Sequence, residues 1–162
     1  MFATTRRKLM LGAAALLTFA VAGTASAQPH EGPVKAAFVY VGPVGDFGYS
    51  FAHDQGRKFL EEKLGDKVET SYVENVAEGP DAERVIRQLA QDGNDIIFAT
   101  SFGFMNPTLK VAKQFPNVKF EHATGYQTAE NMAAYNAKFY EGRAVLGTIA
   151  GMMSKSGKAG YV

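Results

Sequence analysis

Residues 34–50 constrain the fold of this chain more than any other stretch. They read Val-Lys-Ala-Ala-Phe-Val-Tyr-Val and then Gly-Pro-Val-Gly-Asp-Phe-Gly-Tyr-Ser. The first eight are β-branched, aromatic or small with a single charge, which favours a strand buried on both faces of a parallel sheet. A glycine-rich turn and a helical pattern follow, as in the first half of a βαβ unit. Ligands of open α/β sheets bind at such turns, so this turn is the first candidate site.

The same alternation of strand and helix recurs along the chain. Strands are predicted over residues 34–41, 67–73, 95–100 and 118–123, with a short fifth over 131–136. Helical patterns lie between the first four, and the third has Asn106 as its cap and Pro107 at its first position, reaching Phe115. The pattern predicts an α/β fold, a doubly wound parallel sheet with helices on its faces.

The C-terminal quarter departs from this rhythm. Residues 140–154 form a long predicted helix rich in glycine and alanine, which favours close packing against another segment. Residues 158–162 are typical of the start of a strand, with no helix after it to cover it. We therefore expect an N-terminal piece of a longer protein or the product of a truncated gene, with several more βα units beyond Val162 if the reading frame continues.

The N-terminus has the three parts of a secretory leader. Arg6-Arg7-Lys8 precedes a largely apolar run over residues 9–22, and Ala25-Ser26-Ala27 follows. The run is shorter than the ~20 residues that span a bilayer, so a cleaved leader is favoured over a retained anchor. The sequence leaves open whether the general secretory or the twin-arginine route is used. We expect an exported, periplasmic protein cleaved after Ala27.

Charge and cysteine content narrow the function classes. The leader holds three of the 17 basic residues and none of the 16 acidic ones, so the remaining 135 residues carry a net charge of −2. Such a surface gives no electrostatic footprint for nucleic acid. The chain has no cysteine, so its fold does not rely on disulfides. We expect no metal site, because no His, Asp or Glu cluster has ligand spacing, and no cofactor is implied.

Five stretches are distinctive when they are taken together in this order. They are Gly45-Asp46-Phe47-Gly48-Tyr49-Ser50, Ser101-Phe102-Gly103-Phe104, Pro116-Asn117-Val118-Lys119-Phe120, Phe139-Tyr140-Glu141-Gly142-Arg143 and residues 155–162. The set resembles the basic membrane protein family of periplasmic substrate-binding proteins, which serve ABC transporters. The resemblance implies a lobe of the type I periplasmic binding protein fold. It further implies a purine nucleobase or nucleoside held between two lobes, an ABC permease as partner and a monomer at full length. By this resemblance residues 28–136 form the first lobe, and residues 137–162 are the crossover and the beginning of the second.

Candidate ligand-binding residues follow from the turns and from the resemblance. They are Asp46, Phe47, Tyr49, Ser50, Ser101, Phe102, Gly103, Phe104, His122 and Thr124. Tyr49 matches the family's base-stacking aromatic, although a core aromatic anchoring the first helix is the alternative. Asp46 is a ligand acceptor or a helix cap, and Phe102 and Phe104 are cleft or core residues. Gly103 is expected to let backbone N–H groups approach the ligand, and His122 either reaches the cleft or is structural.

The end of the fourth predicted strand departs from the family pattern. Nucleoside-binding members commonly carry an aspartate there, whose carboxylate pairs with sugar hydroxyls, whereas this chain has Thr124. A hydroxyl forms weaker hydrogen bonds than a carboxylate, because charge-assisted bonds are roughly twice as strong. The site is therefore expected to bind a free purine base at least as tightly as its nucleoside.

The sequence also allows comparison with two enzyme classes, a gene regulator and a sensor subunit. The spacing of Gly42, Gly45 and Gly48 is not that of a dinucleotide site, and Ser101 lacks the downstream acid of a hydrolase elbow. An exported α/β hydrolase is therefore the weaker alternative. A gene regulator of the same bilobed fold would carry a helix-turn-helix where this chain has its leader. A receptor subunit for a membrane sensor stays open, since it would bind the same ligand and differ only in its partner.

The leader gives the first prediction. Protein recovered from the periplasm is expected to begin at Gln28, because the small residues 25–27 form the cleavage site. Intact-mass spectrometry checks this. A mass that includes residues 1–27 would contradict it.

Overall fold

Four helices and five strands make up the part of the chain that the structure, a computed structural model, describes, which is residues 32–160. The strands are β1 (Val34–Val39), β2 (Val68–Val73), β3 (Ile96–Ala99), β4 (Lys119–Ala123) and β5 (Met132–Tyr135). The helices are α1 (Tyr49–Leu64), α2 (Pro80–Gln91), α3 (Met105–Ala112) and α4 (Phe139–Met153). Short 3-10 helices cover Gly65–Lys67 and Phe102–Phe104. The leader predicted over residues 1–27 lies outside the described residues.

All five strands are parallel and lie in the order β2-β1-β3-β4-β5. This is the doubly wound parallel sheet expected from the sequence. β1 pairs with β2 on one side and with β3 on the other, so that Phe38 stands opposite both Tyr72 and Phe98. The chain therefore reverses its winding direction between β1 and β3.

Side chains of β1 alternate between the two faces of the sheet, as a pleated strand requires. Ala37 and Val39 pack with α2 and α3 in the larger core cluster. Ala36, Phe38 and Tyr40 form a second cluster on the other face, against which Leu60 of α1 packs. This double burial confirms the expectation for the first strand, and it puts α1 and α2 on opposite faces.

A buried ion pair fixes α1 against the sheet. Asp54 is 1% exposed, and its Oδ1 accepts a 2.7 Å hydrogen bond from Nε of Arg57. Arg57 also donates from Nη1 to Oγ1 of Thr70 on β2, at 2.8 Å. Burial by itself would raise the pKa of Asp54, but the hydrogen bonds from Arg57 and Lys58 outweigh it and lower that pKa. The middle of α1 is thereby tied to β2.

Several predicted boundaries differ from the structure. Asn106 lies inside α3 without capping it, and α3 ends at Ala112 although the pattern predicted Phe115. The predicted strand at 158–162 is wrong as far as it can be compared, because residues 158–160 have no regular structure and residues 161–162 lie outside the described part. α4 forms as predicted, but none of its residues is buried by the rest of the described chain.

Candidate functional site

The carboxyl ends of β1 and β3 form the crevice where a ligand is expected. The chain leaves β1 towards α1 on one face of the sheet, and it leaves β3 towards α3 on the other. In open α/β sheets such a point of reversal is the usual position of a ligand. The two glycine-containing turns singled out from the sequence meet there.

Tyr49 ties these two turns together. It is the first residue of α1, and its hydroxyl donates a 2.6 Å hydrogen bond to the carbonyl oxygen of Thr100, just after β3. Burial raises the pKa of this hydroxyl, so it stays a donor at neutral pH. The ring is 42% exposed and meets the imidazole of His53 edge-on, with centroids 4.6 Å apart. A fixed and partly open aromatic ring at the crevice is the arrangement expected for a stacking platform.

Phe47 is the most exposed of the aromatic residues in this turn. It has a φ of 58°, in the left-handed region that side chains other than glycine rarely adopt, and the residue is 82% exposed. Its ring touches only one other aromatic ring among the described residues, that of Phe51, with centroids 4.9 Å apart. Strained backbone and exposed apolar surface both cost free energy, and they concentrate at binding sites.

Asp46 and Ser50 accept hydrogen bonds from backbone N–H groups of the turn after β1. Oδ1 of Asp46 accepts a 2.8 Å hydrogen bond from the backbone N–H of Gly48, so this carboxylate holds the turn and does not cap α1. Ser50 is 3% exposed, and its Oγ accepts a hydrogen bond from the N–H of Gly42. The structure therefore places Ser50 behind the crevice wall, where it positions the turn.

A carboxylate that the sequence did not single out holds the second turn. Oε1 of Glu78 accepts hydrogen bonds from Oγ of Ser101 at 2.5 Å and from the N–H of Gly103 at 3.1 Å. Gly103 was expected to admit a ligand to the backbone. The group that approaches its N–H is instead the side chain of Glu78.

The two phenylalanines of the second turn differ in their exposure to solvent. Phe102 is 57% exposed, and its ring lies near Tyr126, with centroids 6.3 Å apart. Phe104 is fully buried in the core under α2 and α3, so only its structural interpretation fits. The 3-10 helix over Phe102–Phe104 explains the difference, because at three residues per turn two residues that are two positions apart point in different directions.

His122 lies in the core and does not face the crevice. It is fully buried, and its Nε2 lies 2.8 Å from the carbonyl oxygen of Ser101, which makes this nitrogen the donor. Nδ1 has no hydrogen-bond partner, and a Cβ on Gly125 would lie only 2.2 Å from it. The structural alternative for this histidine is the one that fits.

Thr124 follows β4 with a φ of 68°. It lines a small cavity of about 90 Å³ together with His53 and Tyr135. This cavity adjoins the platform, because His53 also touches Tyr49. Thr124 is thus brought to the side of the crevice that α1 forms.

Sequence reasoning missed four residues of this region, which are His53, Glu78, Tyr126 and Tyr135. His53 is half-buried, and burial lowers its pKa. Its spacing of four from Tyr49 on a helix was the available signal. Nothing local marked Glu78, because its partners lie 23 and 25 residues away along the chain.

Within residues 32–160, no group of three or more His, Asp or Glu side chains is placed to hold a metal ion. In the same range no helix has the length and apolar character needed to cross a membrane.

The fold is one that solved solute-binding proteins share. A solute-binding protein of an ABC transporter system from Aeropyrum pernix superposes with a TM-score of 0.60 at 24% identity, over 73% of this chain and 32% of that one. At that identity the likeness shows the fold alone.

The sequence comparisons show the family. The family model of PnrA-like ABC transporter substrate-binding proteins, called Bmp, matches residues 33–162, so the chain belongs to this family. It is 62% identical over 144 residues to a purine-binding protein of Brucella abortus, covering 89% of this chain and 40% of that protein. It is 47% identical over 135 residues to a Haloferax volcanii protein provisionally named as an ABC transporter glucose-binding protein, covering 83% and 34%. The chain thus spans about two fifths or less of the length of these relatives.

The burial of His122 gives a prediction about pH. Burial lowers the pKa of His122, and the hydrogen bond to Ser101 offsets this only in part. Over the pH range between the two pKa values, His122 is therefore protonated in the unfolded chain but neutral in the native protein. Stability owed to neutral His122 is complete above pH about 6.5 and is lost as the pH falls from there towards the folded pKa. His53 acts in the same direction, so thermal unfolding of H53Q is compared with that of H53Q/H122Q.

Between pH about 7.5 and about 5.5, H53Q is expected to lose more stability than H53Q/H122Q, by at most about 1.4 kcal/mol per pH unit. Equal pH dependence of the two proteins would contradict a buried, neutral His122.

Proposed function

We propose that this protein is the periplasmic solute-binding component of an ABC uptake system and binds a purine base at the crevice between β1 and β3. The observation that carries the proposal is the partly exposed ring of Tyr49, fixed at the point where the winding of the sheet reverses. A fixed ring stacks on any purine, because every base has a π face. The Brucella abortus relative, at 62% identity, is itself named a purine-binding protein.

The described lobe supplies one side of such a site. Phe47, Tyr49 and Phe102 present exposed aromatic surface around the ends of two strands. The second side would come from a second lobe, encoded beyond Val162 in a longer reading frame. Exposed apolar side chains on α4 support this arrangement, since an unburied apolar stripe is typical of an interface. They are Val145, Leu146, Ile149, Met152 and Met153.

The proposed transport role, partner and location rest on the family and on the predicted leader. The family model describes ABC transporter substrate-binding proteins, and we propose that this protein likewise binds its ligand without converting it. A permease at the membrane is the proposed partner, and the full-length protein is proposed to be a monomer in the periplasm. The net charge of −2 after removal of the leader offers no attraction for nucleic acid.

The ligand is further proposed to be the free base. Thr124 offers a hydroxyl where a carboxylate would hold ribose, and it lies on the side of the crevice that α1 forms. Isothermal calorimetry of the protein expressed from its complete reading frame compares adenine, adenosine and glucose. Adenine is expected to bind at least as tightly as adenosine, and glucose weakly or not at all. A clear preference for adenosine would overturn the argument from Thr124, and binding of glucose alone would overturn the purine assignment.

Removal of the platform gives a separate prediction. Base–aromatic stacking contributes about 1–3 kcal/mol, so Tyr49→Ala is expected to raise the Kd for adenine by about 5- to 150-fold. Tyr49→Phe keeps the ring but loses the hydrogen bond to Thr100, so its Kd is expected to lie between those of the unaltered protein and Tyr49→Ala.

Phe59→Ala is the matched control, since Phe59 is an aromatic on the same helix that is 59% exposed and lies beside Lys63. An equal loss of affinity in the Phe59 variant, or none in Tyr49→Ala, would contradict stacking on Tyr49.

A further inference from the structure

Glu78 has an unusual environment for an exposed glutamate. It lies in the connection between β2 and α2, just before Gly79 and the start of α2 at Pro80. Its Oε1 accepts hydrogen bonds from the hydroxyl of Ser101, a residue only 9% exposed, and from the N–H of Gly103. Both donors bind the same oxygen. Among the described residues, no hydrogen bond or ion pair engages Oε2.

The turn after β3 leaves room for this carboxylate. A Cβ added to Gly103 would lie 2.1 Å from Cδ of Glu78 and 2.2 Å from its Oε2. No side chain at position 103 is compatible with that position of Glu78. Two donors therefore hold the carboxylate in a space that the glycine at position 103 leaves open.

Glu78 and Tyr49 approach the end of β3 from opposite sides. Tyr49 opens α1, and its hydroxyl reaches the carbonyl of Thr100. Glu78 precedes α2 on the other face of the sheet and is bound by the next residue, Ser101. Two adjacent residues of one strand end thus anchor an aromatic ring and a carboxylate across the same crevice.

We propose that Oε2 of Glu78 accepts a hydrogen bond from the exocyclic amino group of a 6-aminopurine that stacks on Tyr49, and so selects amino- over oxo-purines. This inference rests on the proposed function. An ionised carboxylate only accepts hydrogen bonds, so the facing edge of the ligand must present an N–H. A 6-oxo group would instead set lone pairs against the carboxylate. A charge-assisted bond of this kind changes an equilibrium by about ten- to hundredfold.

The test uses calorimetry of the protein expressed from its complete reading frame, with adenine and hypoxanthine as ligands. These two bases have nearly the same shape and differ in the group at position 6. The unaltered protein is expected to prefer adenine by about tenfold or more. In E78Q the amide oxygen keeps the bonds from Ser101 and Gly103, and the amide N–H₂ faces the ligand as a donor. The preference for adenine is therefore expected to fall by about tenfold or more.

Two further variants separate recognition from bracing. G103A displaces the carboxylate without changing it and is expected to lose the preference as E78Q does. E130Q alters an exposed glutamate that precedes β5 at the opposite edge of the sheet, and it should keep the preference. If Glu78 only braces the two turns, E78Q changes thermal stability or weakens both bases equally, and the ratio of the two Kd values stays the same.

An unchanged ratio in E78Q overturns the role of Glu78 while purine binding stands. Binding of neither base nor any other purine by the unaltered protein overturns the proposed function, and this inference with it.

Discussion

The backbone pairing at the end of β1 is the constraint on which the rest of the structure depends. Beyond its last strand residue, Tyr40 still donates to the carbonyl of Val73 and accepts from Val76, while Thr100 donates to Val39. The three strand ends are therefore held in line at one edge. The three turns that follow them meet there because the chain reverses its winding between β1 and β3. Every exposed group assigned to the crevice is carried by one of these turns or by the one after β4.

Much of the fold could be predicted because β1 is apolar at every position that the sheet buries. Local patterns placed the five strands and four helices that form to within about two or three residues, a margin typical of element boundaries, whereas the strand predicted from residue 158 does not form in the described part. They could not decide which way a side chain after a strand turns. Phe102 and Phe104 are the same residue type two positions apart, yet one is exposed and the other is core. Ser50 and His122 are likewise buried. The contacts of Glu78 could not be predicted from local patterns, because they join turns that are distant in sequence.

An aromatic ring by itself does not decide which ligand a site binds. The two curated relatives carry different ligands in their names, a purine in one and glucose in the other. The flat apolar surface of an aromatic ring such as that of Tyr49 says little about which of them binds. Discrimination must come from the polar groups beside the ring, whose unsatisfied hydrogen bonds are costly. In this chain the polar groups that we propose for this role are the carboxylate of Glu78, just before α2, and the hydroxyl of Thr124, on the side of α1.

The central claim is that the ligand lies on Tyr49 at the point where the sheet reverses. A crystal structure of the protein from its complete reading frame, grown with adenine, measures this directly. The account predicts the purine ring stacked on Tyr49, with ring centroids about 4.5–7 Å apart. Adenine bound in the groove of about 380 Å³ that Phe38, Leu60 and Phe98 line beside α1, with no stacking on Tyr49, would contradict it.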